Sequence, residues 1–166
     1  MPYVDSIITK YIDILKAGNG TIKTYYQGEP LRIAQSNLPC CIISKTSTSV
    51  QPIDNADDQH SISLRITVIT DVRQDLSSDE SQAKIVEGVR SLYDILEGRN
   101  ADYTLKSTSV LDILRGNINV DTSRNLRTDL STATRVDYGT TLRDREKDSW
   151  TIEARLDFTC HFIQTR

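Results

Sequence analysis

A chain of 166 residues with 37% apolar and 26% charged residues is long enough to bury a core, and its composition is neither that of a disordered segment nor that of a membrane protein. Its net charge of -3 and pI near 5.4 run against a general nucleic-acid coat, which carries a basic excess. No apolar run reaches membrane-spanning length, and the opening MPYVDSIITKYIDIL mixes acids into its apolar stretch with no small-residue cleavage site, so it does not read as a secretory signal.

The chain is expected to form a single domain over residues 1–166, beginning with an amphipathic helix over residues 2–17. There Val4, Ile7, Ile8, Tyr11, Ile12 and Leu15 recur at helical spacing, Pro2 suits the first turn, and Gly18-Asn19-Gly20 stops the helix. TIKTYYQGEP then reads as a short strand closed by a Gly-Glu-Pro turn. LPCCIIS, residues 38–44, is a continuous apolar run, the pattern of a strand covered on both faces. It contains Cys40 and Cys41, which together with Cys160 make an odd count with two adjacent thiols. That is a poor disulfide framework and a poor metal site, because neighbours on a strand point to opposite faces; buried small hydrophobes in a reducing compartment are expected instead.

Residues 45–59, KTSTSVQPIDNADDQ, are polar and aperiodic and read as a long loop. From His60 to Val72 the pattern alternates, with Ile62, Leu64, Ile66 and Val68 on one face of a long strand. Ser77 and Glu80 have capping-box spacing and open a second helix, with Val86, Val89, Leu92, Tyr93 and Leu96 as its stripe, Ile85 at the margin and Gly98 as its stop. VLDIL, residues 110–114, fits a helical turn or a strand equally well, and residues 121–134 read as a second polar loop. Val136, Tyr138, Thr140 and Leu142 then share one parity. After the charged connector RDREKD comes SWTIEARLDFTCHFI, with Trp150, Ile152, Ala154, Leu156, Phe158, Cys160 and Phe162 on one side and Glu153, Arg155, Asp157 and His161 on the other. These two runs predict a β-hairpin whose second strand, at about fourteen residues, spans roughly 45 Å. The sum is an α+β fold: two helices packed on one face of a mostly antiparallel sheet of about five or six strands, with a long C-terminal hairpin.

The sequence carries no Gly-rich phosphate loop, nucleophile elbow or zinc-protease pair, and its two histidines, His60 and His161, are far apart. Asp57-Asp58-Gln59-His60 reads as a solvated segment entering a strand, since no second ligand cluster completes a metal shell. Glu153 and Arg155, with Asp137 opposite them in the hairpin, offer the alternative of a small metal-dependent nuclease, but cross-strand ion pairs on an exposed face explain them more simply. No catalytic, metal or cofactor residue is therefore assigned, and a non-enzymatic role is expected. Arg124, Arg127, Arg135, Arg143, Arg145 and Lys147 interleave with Asp129, Asp137, Asp144, Glu146 and Asp148. Such mixed charge suits oriented contacts between protein copies better than it suits DNA.

The order of elements carries a resemblance. A helix, a short strand, LPCCII, a long alternating strand (SISLRITVI), the helix DESQAKIVEGVRSLYDILEG and a hairpin ending in WTIEARLDFTCHF together resemble the tail terminator proteins of long-tailed bacteriophages and the related neck and tail-completion proteins. The resemblance implies a cofactor-free subunit of the virion, assembled in the host cytoplasm. Copies of it would close into a ring, commonly a hexamer, that caps the tail tube and joins it to the head connector, with DNA only as passing cargo and no membrane contact. A head-completion or stopper protein of the neck is the nearest alternative. The residues themselves point to Arg143, Arg145, Glu146 and Lys147 at the hairpin tip and to Glu153, Arg155 and Asp157 on the outward strand face as subunit or partner contacts. Asp54, Asp57 and Asp58 are expected as docking or lumen acids.

Overall fold

The structure, a computed structural model, describes residues 2–54, 56–71, 81–129, 131, 134–139, 142–144 and 149–165. It is an α+β fold in which helices cover one face of an antiparallel-dominated sheet. Helix α1 (Pro2–Gly18) buries Val4, Ile7, Ile8, Tyr11, Ile12 and Leu15, the predicted stripe. Its end is tightly built. A side chain at Gly18 would put its Cβ 2.7 Å from Ile113, so the glycine lets the helix close on the third helix. The buried Asn19 then fixes the exit: its side-chain oxygen accepts from the N–H groups of Thr21 and Ile22, both at 3.0 Å, and its amide donates to the Thr108 carbonyl at 2.7 Å.

Strand β1 (Thr24–Gln27) runs parallel to the start of β2 (Cys40–Pro52), and Gly28, at φ 73°, turns the chain away from it. In β2, Cys40 to Ile43 are buried on both faces, as the unbroken apolar run predicts. Cys41 and Ile43 belong to the helix-covered core, whereas Cys40 and Ile42 lie outside that cluster. All three cysteines are free and buried, and desolvation raises the Cys40 thiol to about 11 and Cys160 to about 12.

The loop expected over residues 45–59 is instead a hairpin. Strand β2 continues to Pro52, and β3 (Asp57–Asp71) begins at once, pairing antiparallel from Pro52↔Asp58 to Cys40↔Ile69 with a register shift between Lys45 and Ser47. The turn closes through Ile53 N–H to Asp57 O at 2.9 Å, and through the Asp54 carboxylate accepting from the N–H groups of Ala56 and Asp57 at 2.7 and 2.8 Å. Residues 45–52 are polar because this stretch of strand is exposed; backbone pairing holds it, and no apolar period marks it.

Helix α2 (Ser81–Glu97) buries Leu92, Ile95 and Leu96, while the expected stripe members Val89 and Tyr93 are exposed. The capping pair at Ser77 and Glu80 lies outside the described residues. VLDIL becomes a third helix, α3 (Val110–Gly116), whose first turn is capped by the fully buried Ser109 accepting from Asp112 N–H. Within the polar loop expected over residues 121–134, residues 121–129 are likewise structured. Strand β4 (Asn119–Asp121) leads into a 3-10 turn over Thr122–Arg124, and Asn125 at φ 50° passes the chain to β5 (Leu126–Asp129), where Leu126 and Thr128 are buried.

Strands β6 (Arg135–Tyr138), β7 (Leu142–Asp144) and β8 (Ser149–Thr165) complete the predicted hairpin. β8 is the spine of the sheet. One edge pairs with β3 without interruption from Asp57↔Thr165 to Asp71↔Thr151, and the other takes β7, β6 and β5 in turn. Sequence reading counted too few strands because β4, β5 and β7 are short and are held by an edge of a longer neighbour, not by a pattern of their own. Ile62, Leu64, Ile66 and Val68 on β3 face the helices beside Ile152, Ala154, Leu156, Phe158 and Cys160 on β8. Within this core the Tyr11 hydroxyl meets Thr128 at 2.9 Å and its ring stands edge-on to Phe158.

Candidate interaction surface

The face of the sheet away from the helices carries the odd-numbered side chains of β3 and β8, so alternation alone decides what it presents. It presents an ion-pair strip. Arg65 donates to both oxygens of Asp157 at 2.8 and 2.9 Å, directly opposite it in the β3–β8 register. Arg155 holds Glu153 at 2.6 Å, and Arg135 holds Asp137 at 2.6 Å, with Asp137 itself opposite Arg155. The Arg65 hydrogen bonds hold the Asp157 carboxyl below the usual aspartate range. Three guanidinium–carboxylate pairs thus neutralise the acids that a nuclease reading would require as metal ligands. Among the described residues no three His, Cys, Asp or Glu side chains converge to hold a metal ion.

Farther along the same face, beyond Thr159, His161 links three strands. Its Nδ1 lies 2.8 Å from Ser61 Oγ on β3 and its Nε2 lies 3.1 Å from Asp129 Oδ2 on β5. The Asp129 carboxyl is held low chiefly by the hydroxyl and backbone N–H of Ser131, with His161 adding to it. His60 points the other way and stacks on Phe162 at 4.7 Å, with Tyr3 of α1 on the same ring. The two histidines therefore share no site.

The predicted contact residues fall into separate places. Glu153, Arg155 and Asp157 lie together on the ion-pair strip. Asp54 sits in the β2–β3 turn, and Asp57 and Asp58 open β3 opposite Thr165 and Gln164. Arg143 stands at the other end of the sheet, opposite Trp150, and Arg145, Glu146 and Lys147 lie outside the described residues. The span of β8 between Trp150 and Thr165 keeps Arg143 roughly 50 Å from the acidic turn within one copy.

Sequence reading missed two partners, Arg65 for Asp157 and Asp129 for His161. The alternating pattern of β3 already put Arg65 on the outward parity, so the first could have been found by laying the two long strands side by side. The second could not, since β5 sits in a segment read as loop.

An open cleft of about 410 Å³ lies between the β4–β5 turn and the far end of β8, lined by Ile118, Asn125, Arg127, His161, Phe162 and Ile163 among others. No protein-family model and no curated protein matches the chain. Among solved structures, a chain of the virion of a native gene transfer agent (GTA) particle is similar at 15% identity over 94% of this chain and 92% of that chain, with a TM-score of 0.30. That similarity is too slight to carry an argument about what this chain does.

Proposed function

We propose that the chain is a structural virion protein, a tail terminator whose copies form a ring that caps the tail tube and meets the head connector. The order of the elements carries this reading: α1, β1, β2, the long strand β3, α2 and the long closing strand β8 follow the layout that resembles tail terminators. The shape of the sheet supports it. The buried row ends at Ile62 and Cys160, yet the strands run on to Pro52, Asp57 and Thr165 with largely polar residues. Such an extension offers area for contact between subunits and no enclosed pocket for a small substrate.

In this reading Glu153, Arg155 and Asp157 face a neighbouring copy. Their charges fix register more than they add affinity, because they are already paired within the chain. The hairpin tip with Arg143, Arg145, Glu146 and Lys147 meets a partner, and Asp54, Asp57 and Asp58 serve as docking acids or line the lumen, where negative charge lets DNA pass without binding tightly. The role needs no cofactor, only geometry: one ring face matches the last ring of the tube, and the other offers no site for further tube.

The test is to mix the purified chain with isolated phage tail tubes and with filled heads, and to image both. A cap on the tube end that blocks further growth of the tube is expected. Binding to heads alone would assign the chain to the head-completion or stopper class, and binding to neither would remove it from the neck altogether.

A further inference from the structure

Four strand arginines have described side chains, and three of them, Arg65, Arg135 and Arg155, each hold a carboxylate. The fourth, Arg127 on β5, is exposed in the cleft and has no carboxylate partner among the described residues. Apolar side chains left in water line the same cleft: Ile118 is 44% and Ile163 43% exposed. Asp129, which also lines the cleft, is engaged by Ser131 and His161. A guanidinium with no carboxylate partner among the described residues, in one cleft with two exposed isoleucines, fits a ligand that brings a carboxylate and an aliphatic group side by side.

The chain displays that combination on its own surface. The β2–β3 turn holds Ile53, 52% exposed, against Asp57 through the Ile53 N–H to Asp57 O bond, and the Asp57 carboxylate has no partner among the described residues. Within one copy the two cannot meet. Asp57 pairs opposite Thr165 and Arg127 opposite His161, four residues along β8 and on strands either side of it, which sets them roughly 16 Å apart. Both lie on the face away from the helices, so each is open to another molecule.

We propose that the cleft around Arg127 is a docking site for a second copy of this chain, which inserts its β2–β3 turn so that Asp57 pairs with Arg127 and Ile53 packs between Ile118 and Ile163. Repeated head to tail, this contact closes a ring; made twice about a two-fold axis, it gives a dimer. The inference needs only self-assembly and does not depend on the tail-terminator reading.

The test is light scattering behind a sizing column, from micromolar to millimolar chain, on the wild type, Asp57→Arg, Arg127→Asp and an equal mixture of the two variants. The wild type should assemble, and each variant alone should dissociate at concentrations at least about tenfold higher. The mixture should recover assembly, because one contact type keeps its native charges and the other has them exchanged. As a check that does not depend on charge, Ile53→Cys and Ile118→Cys chains should form a disulfide-linked pair when mixed and oxidised, since the three native cysteines are buried. A wild type that stays monomeric with no cross-link overturns the inference, as does an assembly that both charge reversals leave unchanged. A two-copy species sensitive to both variants would support this contact while overturning the ring; a ring-sized assembly indifferent to both variants would do the reverse.

Discussion

Asp121 shows how much one side chain can organise. It ends β4, its carboxylate takes the N–H and hydroxyl of Ser123 to start the 3-10 turn, and it reaches Lys10 of α1 at 2.8 Å. These contacts, Lys10 first, lower its pKa from 3.8 to about 2. A carboxyl whose pKa is depressed in the folded chain takes up protons more readily when unfolded, so its contribution is complete above pH 3.8 and fades as the pH falls toward about 2. Asp129 and Asp157, also held low, act in the same direction. The expected outcome is an Asp121 carboxyl signal with its midpoint near 2 by NMR, moving up in Lys10→Ala. A midpoint at the ordinary aspartate value would disprove the contact. Little of this was legible beforehand. Gly18-Asn19-Gly20 announces that a helix stops, but Asn19 works through Thr108, 89 residues away, and nothing in the local sequence marks such a partner.

At the scale of elements, adjacent positions on β3 should behave in opposite ways. Leu64 is fully buried opposite Phe158, whereas Arg65, next to it, lies on the open face opposite Asp157 with both side chains well exposed. Leu64→Ala should cost about 2–5 kcal/mol through lost burial and the cavity left behind. Arg65→Ala should cost less than about 1 kcal/mol, as exposed ion pairs do. Denaturant melts of the two variants check this, and equal losses would mean that the sheet is not covered on one face only. This alternation was legible because burial imposes a period of two on Ile62 to Val68 and on Ile152 to Cys160. The polar half of β2 was not, because a strand exposed to water keeps its hydrogen bonds without keeping an apolar pattern. The candidate contacts divide in the same way: Glu153, Arg155 and Asp157 were placed by parity, while Arg127 lay hidden in a segment that looked like loop.

For the whole molecule, the α+β class and the placing of helices on one face followed from the apolar stripes, but the order of strands did not. β3 and β8 meet as Ile62↔Cys160 and Leu64↔Phe158 across most of the chain, and no local signal records so distant a pairing. β8 also supplies the edge for β5, β6 and β7, so a chain cut before Ser149 removes the partner of four strands at once. Such a truncation should give no cooperative thermal transition in calorimetry; a sharp transition would show that β1 to β3 and the helices stand alone. The position of β8 also bears on how the protein is made. Every strand that pairs with β8 leaves the ribosome before it, so the nascent chain must carry the apolar row from Ile62 to Val68 beside an unfilled sheet edge until the last partner is translated. Synthesis thus passes through a stage open to aggregation, and shielding of that edge during the interval decides how much of the chain reaches the folded state.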